Sequence, residues 1–280
     1  MAYTTLISVE ELAARLIDPT FVIFDCRHDL MKPDAGAQAY AQSHIPGARF
    51  AHSDVDLAGP KTGRNGRHPL PDATAFAAWL GRQGVDNSKQ VIGYDSAGGA
   101  SATRLWWMLR WLGHDAVAVL DGGWEAWVRS GNEVTAAVPK VVATTFTAKP
   151  RDSWVDADFI RSHLNDPSVV VVDARSPERY RGEAEPIDPV AGHIPGARNR
   201  LYKENLDAGN RFKPAAQLRE EFRRLLAGAK PEHSVHQCGS GVSACHNLLA
   251  MEIAGLPGAK LYPGSWSEWC ADPARPVAKG

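Results

Sequence analysis

Cysteine is scarce in this sequence of 280 residues, which contains four cysteines and no Cys-x-x-Cys pair. Paired cysteines of that spacing are typical of zinc ribbons and redox motifs, and dense cysteines are typical of small disulfide scaffolds. Neither class fits this chain, and we expect no metal ion and no other cofactor. The four cysteines are Cys26, Cys238, Cys245 and Cys270.

Long apolar segments and basic runs are missing as well. No segment approaches the roughly 18 uninterrupted apolar residues that a membrane-spanning helix needs. The first residues lack the basic stretch and apolar core of a secretory signal. The formal net charge is −1, and Lys and Arg do not form the basic cluster of a nucleic-acid-binding surface. We therefore predict a soluble, cytoplasmic protein with neither a membrane nor a nucleic-acid partner.

An internal repeat is the strongest feature that the sequence does contain. The motif HIPGAR occurs at 44–49 and again at 193–198. An apolar run ending in Asp-x-Arg precedes each copy, at 21–27 and 169–175. A Trp-x-x-Trp motif closes each half, as GGWEAW (122–127) and GSWSEW (264–269). Because the motifs have the same order in both halves, we infer that one domain has been duplicated.

Each half alternates strand and helix patterns. The β-branched runs at 169–175 and 90–95 lack polar alternation, which is typical of strands buried on both faces of a parallel sheet. The segments 101–113 and 243–255 have helical spacing and end at glycine. The predicted fold class is α/β, with a mostly parallel sheet flanked by helices in each domain.

A stretch without helical periodicity, near residues 131–150, separates the halves. We predict an N-terminal domain at 1–131, a linker at 132–152 and a C-terminal domain at 153–280.

A glycine-rich loop in the second half carries the predicted chemistry. Ligands of such folds collect beyond the carboxyl ends of the strands, where the run 234–238 leads into Cys238-Gly-Ser-Gly-Val-Ser243. Glycines let successive backbone amides converge, and the following helix adds the positive end of its dipole. A cysteine in this setting is expected to be a nucleophilic thiolate. We predict that Cys238 carries a persulfide and that Gly239, Gly241, Val242 and Ser243 bind it or an anionic donor.

The alternative interpretation is that Cys238 is an ordinary buried cysteine, since free cysteine is often buried. The first half provides a comparison within the chain. Its aligned residue is Asp95, followed by Ser-Ala-Gly-Gly-Ala. The glycines persist there while the nucleophile is absent. The first domain is therefore predicted to be inactive and the second to be catalytic.

These motifs resemble the tandem-domain rhodanese and 3-mercaptopyruvate sulfurtransferase family over nearly the full length. The matching segments are DCR…SHIPGA and DGGWEAW in the first half, with DAR…RYRGE…GHIPGA, CGSGVSA and LYPGSWSEW in the second. The resemblance implies two rhodanese folds and sulfur transfer through a cysteine persulfide. It implies a small-molecule sulfur donor and a thiol or cyanide acceptor, with thioredoxin as one candidate.

The resemblance also bears on the donor. Family members that use thiosulfate carry cations just after the cysteine, whereas Gly239 and Ser240 resemble the mercaptopyruvate branch. That branch uses a loop serine with a histidine and an aspartate, which correspond here to Ser240, His68 and Asp54. Such a relay handles the proton of a thiol donor. The alternatives are an incidental surface histidine at 68 and a solvated turn residue at 54.

Arg179, in the RYRGE segment, matches the arginine that binds the anionic donor in both branches; its alternative is a surface charge. The mercaptopyruvate branch has a second arginine about nine residues on, where this chain has Ile187 and Asp188. The predicted activity is transfer from 3-mercaptopyruvate, with thiosulfate:cyanide sulfurtransferase as the alternative.

Two other function classes are less consistent with the loop. A cysteine phosphatase needs an arginine that closes a Cys-x5-Arg loop, and the corresponding residue is Ala244. A non-catalytic sulfur carrier or binding module remains an alternative, although the retained Cys238 argues against it.

Overall fold

The computed structural model describes residues 2–280, which divide into two compact units. The first unit comprises residues 2–59, 71–152 and 208–211, and the second comprises 60–70, 153–207 and 212–280. The division differs from the predicted boundaries at 60–70, which groups with the second unit, and at 208–211, which groups with the first. No helix within residues 2–280 has the length and apolar character needed to cross a membrane.

The first unit is built on a five-stranded parallel sheet in the order β1-β5-β4-β2-β3. Its central strands are buried on both faces, as their apolar sequences predicted. The strands are β1 (Leu6–Ile7), β2 (Phe21–Asp25), β3 (Arg49–Phe50), β4 (Gln90–Tyr94) and β5 (Val117–Leu120).

Five helices accompany this sheet, and polar caps explain where several begin. Ser8 and Glu11 form a capping box at α1, with each side chain bonding the other residue's backbone N–H. The Asp72 carboxylate accepts two backbone N–H groups of the first turn of α3. The helices are α1 (Val9–Ala13), α2 (Ala35–Gln42), α3 (Ala73–Arg82), α4 (Ala102–Trp111) and α5 (Gly123–Arg129).

The second unit repeats this plan with a four-stranded parallel sheet in the order β7-β6-β8-β9. A single parallel bridge between Trp154 and Leu261 stands where the first unit has its edge strand β1. The strands are β6 (Val170–Asp173), β7 (Arg198–Asn199), β8 (Ser234–Gln237) and β9 (Lys260–Leu261). The α-helices are α6 (Ala157–Ser162), α7 (Pro177–Arg181), α8 (Ala215–Leu226), α9 (Ala244–Ile253) and α10 (Ser265–Trp269), with 3-10 helices at Tyr202–Asn205 and Pro231–His233.

The duplicated Asp-x-Arg motif makes the same buried ion pair in both units. The Asp25–Arg27 pair has an N–O distance of 2.6 Å, and the Asp173–Arg175 pair one of 2.7 Å. Each arginine also donates to a carbonyl just before or within its HIPGA turn and lies over a tryptophan ring. These motifs therefore hold the loops at the strand ends in both units.

Candidate functional site

Cys238 follows the last residue of β8, and the loop 238–243 leads directly into α9. Its side chain is buried, with 1% of the residue exposed. The Gly241 N–H donates a hydrogen bond to Sγ at 3.1 Å. Only glycine fits at 241, because φ is +79° and an added Cβ would lie 2.3 Å from the carbonyl oxygen of Pro263. The loop thus turns a backbone donor onto the sulfur atom.

The start of α10 holds the backbone of Cys238. The Cys238 N–H donates to Ser265 Oγ at 3.1 Å, and the Cys238 carbonyl accepts from Trp266 N–H at 3.0 Å. Ser265 has a left-handed φ of +54°, a conformation that costs a non-glycine residue about 1–3 kcal/mol. The sequence interpretation missed this residue. The repeat did indicate an unusual backbone conformation here, because a glycine, Gly123, occupies the equivalent position in the first half.

The other three cysteines are buried as well. Burial, followed by the charge of Asp25, raises the pKa of Cys26 well above its usual range. Burial raises the pKa of Cys270 to about 11. Cys245 donates its S–H to the Gly241 carbonyl at 3.4 Å. Protonated thiols are poor nucleophiles, so Cys26 and Cys270 are poor candidates for sulfur transfer.

The structure brings together two members of the predicted relay. His68 Nδ1 lies 2.7 Å from Ser240 Oγ, and both residues are buried. Asp54 belongs to the first unit, where its N–H donates to His52 Nδ1 and its carboxylate lies 3.9 Å from His28 Nε2. The participation of Asp54 in a relay stays a prediction.

Val242 and Ser243 complete the loop at the N-terminus of α9. Both are half-buried, and the Ser243 side chain makes no capping hydrogen bond. The helix that follows is ten residues long, so the positive end of its dipole points toward the loop.

Arg179 lies on α7 and is bound by two carboxylates. Its Nη2 donates to Glu185 Oε1 at 2.6 Å and to Asp188 Oδ2 at 3.1 Å. Its side chain remains 17% exposed, so it is neither a free surface charge nor fully buried. Arg181 instead pairs with Glu183, and both of these side chains are exposed.

Arg67 is a second arginine beside the loop, which the sequence interpretation also missed. Its Nη1 donates to Asp188 Oδ1. A Cβ added at Gly239 would lie 2.7 Å from Arg67 Nη2 and 3.5 Å from Arg179 Nη1. Two guanidinium groups therefore approach the residue next to Cys238. The sequence could have pointed to Arg67, because it directly precedes His68, which was predicted to belong to the site.

The carboxylates of this cluster have shifted pKa values. Burial raises the pKa of Asp188, against the opposing charges of Arg67 and Arg179. Burial also acts on Glu185, but the hydrogen bonds from Arg179 and from backbone amides hold its pKa below the usual value. The two arginines thus meet one firmly ionised carboxylate and one that is easier to protonate.

The corresponding loop of the first unit follows β4 and carries Asp95. The Asp95 carboxylate accepts four backbone N–H bonds, from Ala97 and Gly99 on Oδ1 and from Ser101 and Ala102 on Oδ2, at 2.7–2.9 Å. The Asp95 carbonyl accepts from Trp124 N–H at 2.8 Å, as the Cys238 carbonyl does from Trp266. Both loops therefore direct backbone N–H groups at the side chain that follows the strand.

Comparison with known proteins identifies the family. The model of the rhodanese-like domain matches residues 8–130 and again 156–272. The chain belongs to the rhodanese family. The predicted fold of two tandem rhodanese-like domains is thereby confirmed.

Relatives along the whole chain agree with this assignment. A Pseudomonas aeruginosa protein named as a probable 3-mercaptopyruvate sulfurtransferase is 46% identical, with all of both chains covered. An Arabidopsis thaliana mitochondrial thiosulfate/3-mercaptopyruvate sulfurtransferase is 33% identical, over 97% of this chain and 77% of its own. The structure of 3-mercaptopyruvate sulfurtransferase from Leishmania major has a TM-score of 0.83 and 32% identity, over 95% of this chain and 74% of its own. The predicted enzyme class, a sulfurtransferase with small-molecule donor and acceptor substrates, is confirmed.

Proposed function

We propose that this rhodanese moves sulfane sulfur from 3-mercaptopyruvate to a thiol or cyanide acceptor through a persulfide on Cys238. The observation that carries the proposal is the contact between the Gly241 N–H and Cys238 Sγ at 3.1 Å. An amide donor at this place can hydrogen-bond the inner sulfur of a persulfide. The same loop then stabilises the persulfide anion.

The first half-reaction balances without an external oxidant or reductant. Cys238 thiolate attacks the sulfur atom of the donor, a sulfur–sulfur bond forms, and the carbon–sulfur bond of mercaptopyruvate breaks. The leaving carbon carries the electron pair as an enolate, which takes a proton and departs as pyruvate. The proton that the donor thiol gives up has to reach this carbon. The Ser240–His68 pair supports such a transfer, since its two atoms are already at hydrogen-bond distance.

The choice of donor rests on the side chains next to the nucleophile. Gly239 and Ser240 are neutral, and His68 serves a donor that has a proton to lose. Thiosulfate is a dianion that has no thiol proton to lose. When Cys238 takes its outer sulfur, sulfite leaves with the electron pair of the broken sulfur–sulfur bond. The Arabidopsis relative is named for both donors, so thiosulfate is the second candidate. Arg179 and the loop amides of Gly241, Val242 and Ser243 would bind the anionic end of either one.

The second half-reaction returns the enzyme to its starting state. A cyanide ion or a thiolate attacks the outer sulfur, and the electron pair of the sulfur–sulfur bond returns to Cys238. Thioredoxin is one candidate for the thiol acceptor in the cytoplasmic setting that we propose.

Intact-mass measurement and steady-state kinetics test this proposal. Incubation with 3-mercaptopyruvate should add one sulfur atom, which peptide mapping places on Cys238. The Cys238→Ser variant should accept no sulfur and lose turnover, whereas the matched Cys270→Ser variant should keep both. Sulfur on another cysteine would contradict the assignment of the nucleophile. A higher kcat/KM with thiosulfate than with 3-mercaptopyruvate would overturn the choice of donor.

A further inference from the structure

Helix α7, which carries Arg179, has little packing of its own. It is five residues long, and none of its residues is buried. Its counterpart in the first unit, α2, has eight residues and buries Gly36 and Tyr40. Because a helix as short as α7 is not stable through its own hydrogen bonds, the position of Arg179 depends on the segments that α7 contacts.

The histidine of the second HIPGA motif, His193, contacts α7 in two ways. Its ring stacks on Tyr180 with a centroid distance of 3.8 Å and an interplanar angle of 14°. Its Nδ1 lies 2.8 Å from the Tyr180 carbonyl oxygen. A carbonyl oxygen only accepts, so Nδ1 carries the proton of this bond. Tyr180 directly follows Arg179, so His193 holds the helix at the residue next to that arginine.

The segment 276–280 bonds both His193 and α7. His193 and Ala278 form an antiparallel bridge, in which the His193 N–H donates to the Ala278 carbonyl at 2.9 Å and the Ala278 N–H donates to the His193 carbonyl at 3.0 Å. The Gly280 N–H donates to the carbonyl of Arg181, the last residue of α7, at 3.1 Å. The segment therefore holds α7 directly at its end and indirectly through His193.

Two further contacts fix the segment 276–280 itself. Trp269 on α10 is buried and donates from Nε1 to the Pro276 carbonyl at 2.8 Å. Gly192 has a φ of +131°, and an added Cβ there would lie 2.5 Å from the Ala278 carbonyl oxygen. The segment is thus tied to the helix that follows β9 and packs closely against the turn before His193.

The first unit contains the same arrangement around its HIPGA histidine. His44 stacks on Tyr40 at 3.9 Å, its Nδ1 lies 2.7 Å from the Tyr40 carbonyl oxygen, and its backbone forms an antiparallel bridge with Thr135. The residue before Tyr40 is Ala39, where the second unit has Arg179. The two copies therefore share the bridge, and only the second uses it to hold an arginine.

We propose that the segment 276–280 is a positioning segment, which acts through His193 and Tyr180 to fix α7 and thereby sets the affinity of Arg179 for the anionic sulfur donor. The inference rests on the proposed function, because Arg179 is the donor-binding residue there. Its consequence is that donor affinity depends on a backbone bridge outside the Cys238 loop.

A matched pair of proline variants tests this role. Proline has no backbone N–H, so Ala278→Pro removes the bond to the His193 carbonyl and Thr135→Pro removes the corresponding bond to the His44 carbonyl. Both positions are half-buried and both follow a valine, so the restriction that proline places on the preceding residue is the same. The pair separates loss of a bridge from loss of the bridge that holds α7.

Steady-state kinetics with 3-mercaptopyruvate give the first measurement. Ala278→Pro should raise KM about three- to tenfold, the effect of losing about one hydrogen bond. Its kcat should change little, because the segment holds a binding residue and not the nucleophile. Thr135→Pro should leave both constants within about twofold of wild type, even where the two variants lower the thermal transition equally.

Hydrogen exchange followed by mass spectrometry gives the second measurement and needs no turnover. Ala278→Pro should speed exchange in the peptide that covers α7 and leave the peptide 238–246 as in wild type. Deletion of Lys279 and Gly280 removes only the bond to the Arg181 carbonyl. It should change KM and α7 exchange in the same direction by less, and it provides the test if Ala278→Pro does not fold.

The outcomes keep this inference apart from the proposed function. Equal rises of KM in Ala278→Pro and Thr135→Pro, or faster α7 exchange with unchanged KM, would overturn the positioning role. Unchanged α7 exchange in Ala278→Pro would overturn it whichever donor the enzyme uses. If wild type forms no persulfide on Cys238, the proposed function fails, while the exchange data still decide whether the segment 276–280 fixes α7.

Discussion

The loops after β4 and β8 occupy the same place in their units and differ in what they hold. In the first unit, Asp95 places its own carboxylate among four backbone amides. In the second unit, Cys238 Sγ accepts the amide of Gly241. The first loop is filled by a carboxylate of the chain itself, whereas the second holds the thiol on which we propose that the persulfide forms. Backbone amides directed at the side chain that follows the strand are therefore common to both copies, and the copies differ in the residue that receives them.

The surroundings of the two loops differ as well. Beside Cys238 the second unit places the His68–Ser240 pair and the two arginines 67 and 179. Beside Asp95, the loop positions that match Gly239 and Ser240 are Ser96 and Ala97. The comparison suggests that the catalytic copy differs by its nucleophile and by the side chains that manage the proton and charge of the donor.

The largest effect is expected from His68→Ala, which removes the proton relay and leaves the nucleophile in place. Loss of general acid–base catalysis typically costs about 10²–10⁴-fold, so kcat/KM for 3-mercaptopyruvate should fall by that range. Thiosulfate has no proton to move, and its kcat/KM should fall much less. Kinetics with both donors make the measurement. Equal losses for the two donors would contradict the relay. The loops after β4 and β8 would then differ in function only through Cys238.

A smaller effect is expected from Arg179→Ala, which removes one of the two cations. A hydrogen bond to a charged group contributes about 1.5–3 kcal/mol, so kcat/KM should fall roughly 10- to 150-fold. The same change leaves Glu185 and Asp188 with fewer partners, so thermal unfolding has to be recorded beside the kinetics. Arg179→Lys keeps the charge without the planar fork and should fall between alanine and wild type. Unchanged kinetics with both donors would make Arg179 a structural charge only.

The features that could be predicted from sequence are those encoded by repeated local patterns. Strands β4 and β6 are mostly apolar runs, and helices α4 and α9 end near the predicted glycines. The contact between His68 and Ser240 was reached through family resemblance, because 172 residues separate the two.

Arg67 and Ser265 could not be predicted in the same way. Arg67 lies in a segment without periodicity, and its approach to Gly239 depends on tertiary packing against α10. The sequence interpretation treated Asp188 only as a missing arginine, whereas the structure pairs it with Arg67. Ser265 is a common residue in an uncommon conformation, which composition does not reveal.

Stability should respond to Asp95→Asn, which replaces the carboxylate of the first loop by an amide. Asparagine keeps one acceptor oxygen and turns an NH₂ donor toward backbone N–H groups. Leaving buried donors unsatisfied costs about 1–3 kcal/mol, so the thermal transition of the first unit should move to lower temperature. Asp18→Asn is a matched control in an exposed turn, where Asp18 accepts from Thr20, and should have a much smaller effect. Equal stability of Asp95→Asn and wild type would show that the first loop does not depend on its anion.

The smallest effect is expected where α10 meets the catalytic loop. Ser265→Gly copies the residue of the first unit, Gly123. It removes the left-handed strain at φ +54° and both hydrogen bonds of Ser265 Oγ, the one accepted from Cys238 N–H and the one donated to the Tyr262 carbonyl. Ser265→Ala removes the same two hydrogen bonds and keeps the strain. The glycine variant should therefore be more stable than the alanine variant by about 1 kcal/mol, as measured by thermal or urea unfolding.

Activity should separate the two contributions. Both variants lose the contact that fixes the backbone of Cys238, so both should lose kcat/KM by a similar few-fold factor. If the glycine variant matched wild type in activity while the alanine variant did not, strain rather than the hydrogen bond would be the active difference. The reverse substitution, Gly123→Ser, should be poorly tolerated, because a Cβ at 123 would lie 2.3 Å from the Asp95 carbonyl oxygen. The catalytic copy can accept a serine at this position only with a backbone arrangement that the first copy does not share.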